Sequence, residues 1–120
     1  MTSQFRLRTI VSQPFAENSY LFGLSDRTEV VIVDPGFQPE LILEQLADEG
    51  LTPAAILNTH GHVDHIAGNA AIKKAFPEIP IIVGHGDAAM LTDADLNLSG
   101  PFGLPVTSHR PTAPFATATA

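Results

Sequence analysis

Three short apolar runs, at residues 30–33, 54–57 and 79–83, are separated by two stretches whose apolar residues recur at helical spacing. This order restricts the fold more than any other feature of the chain. Parallel neighbouring strands need a long crossover between them, and a helix is the usual one. In the first crossover, residues 39–49, Pro39 suits a first helical turn. Ile42, Leu43, Leu46 and Ala47 form one stripe there, and Gly50 stands where a C-terminal cap belongs. In the second, residues 66–76 keep the helical pattern until Pro77 stops it. Residues 86–91 predict one more short helix. Asp34-Pro35-Gly36 closes the first run abruptly, since Pro removes a ladder donor and Gly permits a sharp turn.

Upstream, Phe5, Leu7, Thr9 and Val11 alternate with polar or charged residues, the period of a half-buried strand. Residues 19–24 and 30–33 flank the polar stretch Ser25-Asp26-Arg27-Thr28, which predicts a hairpin. The expected class is α/β, with Ile56, Leu57, Ile81 and Ile82 in the core. From Ser99 onward prolines and glycines accumulate without periodicity, so this tail reads as loop or disorder. A chain of 120 residues, 44% of them hydrophobic, suffices for one ordinary domain and excludes disorder throughout.

Thirteen acidic against six basic residues give a net charge of −7, which disfavours nucleic acid and anionic lipid as partners. No apolar run is long enough to predict a membrane span. The absence of cysteine excludes disulfides, thiolate metal cages and a cysteine nucleophile. Met1-Thr2-Ser3-Gln4-Phe5-Arg6 lacks a signal-peptide pattern, and the expected location is the cytoplasm.

Three of the five histidines fall within His60-Gly61-His62-Val63-Asp64-His65. Neutral imidazole and carboxylate are the donors that zinc and similar divalent ions take. His60 and His62, two apart, project to one side of an extended segment. Asp64 and His65 stand where the next helix begins and can address a second position. The cluster follows the strand at residues 54–57, on the edge where ligand sites of open α/β sheets gather. Asp34 ends another strand and reaches the same edge if the two are parallel neighbours. It either caps its own turn or orients the metal loop. The plainer alternative is a set of surface histidines with no ligand. His85 lacks a partner at ligand spacing and reads as structural, and His109 reads as solvated. Gly61 and Gly68 allow close backbone approach, and Thr59 a hydrogen bond within the loop.

The run Thr59-His60-Gly61-His62-Val63-Asp64-His65-Ile66-Ala67-Gly68 resembles the hallmark of the metallo-β-lactamase fold superfamily. Asn18-Ser19-Tyr20-Leu21 and Val33-Asp34-Pro35-Gly36 are similar to the strands that precede it in the glyoxalase II-like branch. The resemblance covers roughly residues 5–108. It implies the first half of an αββα sandwich, a mixed sheet with helices on one face. Residues 1–108 would form that part of the domain, and 109–120 an irregular tail of aberrant origin.

The resemblance further implies that His60 and His62 bind one metal while Asp64 and His65 bind a second. Asp64 would also be catalytic, with Asp34 orienting the loop. Zinc is implied, two ions per complete site, with iron or manganese as alternatives. A hydroxide bridging the metals would attack an ester, thioester or lactam carbonyl, a hydroxyacylglutathione being the expected substrate. His65 at the last motif position resembles the dinuclear hydrolases more than the β-lactamases. The family's downstream His, bridging Asp and final His have no counterpart in residues 86–120. Two protein ligands per metal fall short of the three in catalytic zinc sites, so the chain is expected to be weak or inactive alone. Its uncovered sheet face invites self-association. The alternatives are a non-catalytic metal-binding module, or a lactonase, nuclease or sulfur dioxygenase on the same fold.

Overall fold

Short connections, residues 13–16 and 25–28, join the first three strands as antiparallel pairs: β1 (Phe5–Ser12) with β2 (Glu17–Leu24), and β2 with β3 (Glu29–Val33). From β3 onward every pairing is parallel, through β4 (Thr52–Asn58), β5 (Ile81–Gly84) and β6 (Ala113–Phe115). The sheet order is β1-β2-β3-β4-β5-β6. The first crossover holds helix α1 (Pro39–Glu49), and the second holds α2 (Val63–Ile66) and α3 (Asn69–Ala75). This computed structural model describes residues 4–14, 16–59, 63–84, 91 and 113–115.

Register decides what the helices cover. Leu21 pairs with Ile32, Ile32 with Ile56, and Ile56 with Ile81, so these four lie on one face. Ile42 and Leu46 from α1, Ile66 from α2 and Ile72 from α3 bury against them in a single core. Each such side chain removed from water contributes about 2 kcal/mol. Gly50 ends α1 in the left-handed region at φ 65°, as expected of a glycine cap. Arg8 and Glu49 form an ion pair at 2.9 Å that ties β1 to the end of α1. Hydrogen bonds from Arg8 and Gln45 hold the Glu49 carboxyl below its ordinary range.

Four expectations need correction. First, β1 forms, but its apolar alternation faces away from the core. Ile10 and Ser12 are buried, whereas Phe5, Leu7 and Val11 are 70%, 54% and 46% exposed. Alternation reveals the period of a strand, and the helix layer decides which face is covered. Leu57 and Ile82 lie on that second face and are only half-buried, unlike Ile56 and Ile81. Second, the helix expected over residues 66–76 is two helices broken at Ala67-Gly68. Third, β5 starts at Ile81 rather than at residue 79. Fourth, Ala113–Phe115 pairs in parallel with β5, so the sheet extends into the tail and past residue 108. The short helix expected over 86–91 lies outside the described residues, apart from Leu91, which is buried. Among the described residues no helix is long and apolar enough to cross a membrane.

Candidate metal centre

The carboxyl ends of β3 and β4 lie side by side, with Val33 opposite Leu57. Asp34 therefore leaves β3 next to Thr59 leaving β4, and the Asp34 N–H donates to Leu57 O at 2.9 Å. Asp34 has φ 52°, a left-handed conformation that costs a residue with a Cβ about 1 kcal/mol or more. Its side chain secures that conformation. The Thr59 N–H donates to Oδ1 at 2.7 Å and the Thr59 hydroxyl donates to Oδ2. Ser19 Oγ donates to the Asp34 carbonyl at 2.7 Å. Asp34 is thus built into the edge, and the Thr59 bond reaches across to β3 rather than staying within the loop.

His65 lies on α2, and its Nδ1 is 3.0 Å from Asp34 Oδ2. An ionised carboxylate only accepts, so this contact puts the ring proton on Nδ1 and the lone pair on Nε2. The backbone of α2 is held as well. Asn58 Nδ2 donates to His65 O at 3.1 Å, and Asn58 and Asn69 exchange side-chain hydrogen bonds at 3.2 and 2.8 Å. Both asparagines are buried, and their reciprocal pairing satisfies polar groups that would otherwise destabilise the core.

A third residue of the cluster, acidic and missed by sequence reasoning, comes from the antiparallel hairpin. Tyr20 opposite Val33 places Ser19 level with Asp34 and Glu17 level with Gly36. Alternation then turns Glu17 and Ser19 to the helix-covered face. Glu17 Oε2 is 3.6 Å from His65 Nδ1, and the Glu17 side chain is only 4% exposed. Ser19 Oγ, whose single proton goes to the Asp34 carbonyl, lies 3.3 Å from Glu17 Oε1. A buried Glu seventeen residues before Asp34 carries no motif signal; the strand register was the only available clue.

Two glycines make this packing feasible by lacking a side chain. A Cβ on Gly36 would sit 2.5 Å from Glu17 Oε1 and 3.0 Å from Ser12 Oγ. Gly36 thus leaves the space that the carboxylate beside it occupies. A Cβ on Gly68 would meet Gly36 O at 2.7 Å, and the Gly68 N–H donates to Pro35 O at 2.9 Å. The break between α2 and α3 is where the second crossover docks on the Asp34-Pro35-Gly36 turn.

Of the expected ligands, the structure brings His65 against Asp34. Asp64 lies in α2, with its side chain outside the described residues, and His60, Gly61, His62, His85 and His109 lie outside them entirely. Ligand atoms of Glu17, Asp34 and His65 all fall within 4.8 Å of one another. Asp34 already accepts from Thr59 twice and faces Nδ1, so the trio orients an imidazole better than it cages an ion. A histidine whose Nδ1 is fixed by a carboxylate suits a divalent metal on Nε2, and to that extent the donor set fits one.

Residues 12–118 match the model of the metallo-beta-lactamase superfamily. The chain belongs to that superfamily. Its sheet and helices are a partial fold of that type. It is 38% identical over 96 residues to the probable metallo-hydrolase YqgX of Bacillus subtilis, covering 79% of this chain and 44% of that protein. It is 35% identical over 86 residues to the hydroxyacylglutathione hydrolase of Anaeromyxobacter dehalogenans, covering 72% and 32%. Among solved structures, the BLEG-1 B3 metallo-beta-lactamase superposes with a TM-score of 0.87 at 33% identity, covering 94% of this chain and 54% of that one. The di-iron-bound form of TTHA1623 gives 0.77 at 28% identity, covering 94% and 56%. The chain therefore spans less than half the length of these two curated relatives. Members of the superfamily bind divalent metals, and the TTHA1623 structure is that of a di-iron-bound form.

Proposed function

We propose that this chain contributes the first metal-binding edge of a glyoxalase II-like hydrolase that cleaves a small-molecule thioester of the hydroxyacylglutathione type. His60 and His62 would hold one zinc, and Asp64 and His65 a second, with Asp64 also acting in catalysis. The observation that carries this reading is the Asp34–His65 contact at 3.0 Å, made at the carboxyl edge where the His60-to-His65 motif begins. The relatives named hydroxyacylglutathione hydrolase support the choice of substrate.

When bound, such metals acidify water and polarise the carbonyl under attack. The chain's own residues do the positioning. Asp34 keeps the His65 proton on Nδ1, so that Nε2 can serve as a ligand. Thr59 clamps Asp34 through two hydrogen bonds at the point where the motif leaves β4. Asn58 fixes α2, which carries Asp64 and His65, to the end of the same strand, and Asn69 ties α3 to it. Four ligands shared between two metals leave each one short of the three a catalytic site usually has.

Thioester hydrolysis by this chain alone should accordingly be near background. Supplying the remainder of a relative's domain, in cis or in trans, should restore chelator-sensitive turnover of a hydroxyacylglutathione. Restored turnover of a lactone or of DNA, with none of the thioester, would overturn the substrate assignment. Robust turnover by the isolated chain would overturn the ligand count.

A further inference from the structure

We propose that Glu17 is a positioning residue for His65, acting with Asp34 as a pair of carboxylates on the same ring nitrogen. Asp34 Oδ2 approaches Nδ1 at 3.0 Å and Glu17 Oε2 at 3.6 Å, and both side chains are almost fully buried. A buried carboxylate is costly unless opposite charge or donors compensate it. Asp34 accepts from Thr59, and Glu17 Oε2 faces the imidazole, the partner whose orientation it can set. The fold also makes room for Glu17 specifically, because any side chain at Gly36 would collide with its Oε1. A merely tolerated acid would gain nothing from that arrangement. Two carboxylates on Nδ1 disfavour the tautomer with the proton on Nε2 more strongly than one does. They also place negative charge behind a ligand that is to hold a cation. Glu17 thus favours the metal-bound chain over the metal-free one, which a purely structural residue would not do.

The inference rests on the metal-centre reading for what Nε2 ligates, and two measurements separate the failures. Nitrogen-15 shifts of the His65 ring in the metal-free chain, at a pH where the ring is neutral, should show the Nδ1–H tautomer. Glu17→Gln, whose amide can donate to Nδ1, should add the Nε2–H form. A titration with cobalt(II), followed by its visible absorption, should show affinity falling about tenfold or more in Glu17→Gln. The metal-free variant should melt no lower than the parent chain. An unchanged tautomer, an unchanged cobalt affinity, or a metal-free melting temperature that falls would each overturn the role proposed for Glu17. If the parent chain takes up no cobalt, the metal-centre reading fails, and the ring measurement still decides whether Glu17 positions His65.

Discussion

Asp34 concentrates several demands on one residue: a left-handed backbone, two bonds from Thr59 and the orientation of His65. Asp34→Ala would keep the backbone cost and remove both bonds from Thr59, which is itself exposed, so it should destabilise the chain by about 1–2 kcal/mol in urea unfolding. A loss below ~0.5 kcal/mol would contradict these bonds. Gly36→Ala should cost about 1–3 kcal/mol through its collision with Glu17, and distinctly less in a Glu17→Ala background. An equal cost in both backgrounds would show that the turn, not the carboxylate, requires glycine. At this scale Asp34 and His65 were legible, because one ends an apolar run before Pro-Gly and the other belongs to a dense ligand motif. Glu17 was not, because its place depends on strand register, which local sequence does not reveal.

The elements are joined at two points that can be tested separately. Gly68→Ala places a Cβ 2.7 Å from a backbone oxygen that cannot swing away, so the second crossover must lift from the turn. A destabilisation of about 2 kcal/mol, with weakened metal uptake, is expected in paired unfolding and binding measurements. At the other end, Arg8 clamps Glu49 of α1 and holds its carboxyl below the ordinary range. A lowered folded pKa contributes stability that is present above the unfolded pKa and lost as pH falls through the folded one. The unfolding midpoints of the parent and Arg8→Ala should therefore differ modestly at neutral pH and converge in acid. A gap that persists in acid would mean that Arg8 acts by packing. Helix α1 was readable to the residue, since Pro39, the apolar stripe and Gly50 all agree. The second crossover was not, because its break serves a tertiary contact at Gly68. Nor was β6 legible, because Pro114 argues against a strand and only pairing with β5 reveals it.

For the molecule as a whole, the open face of the sheet is the clearest consequence of the fold. Phe5 and Phe22 stack there with ring centroids 5.2 Å apart, and Leu7, Val11 and Leu24 continue the exposed apolar surface. Leu7 lies directly opposite Phe22, so Leu7→Glu with Phe22→Lys would place opposite charges across the strands. That variant should sediment as a smaller species than the parent at equal concentration, and identical sedimentation would show that the face does not drive association. The chemistry of the chain, however, depends on the metal. Zinc uptake followed by calorimetry, on the intact chain and on a variant with His60→Ala and His62→Ala, tests it most directly. The intact chain should bind zinc and the double variant should not; equal uptake by both would contradict a metal centre built on the His60-to-His65 motif.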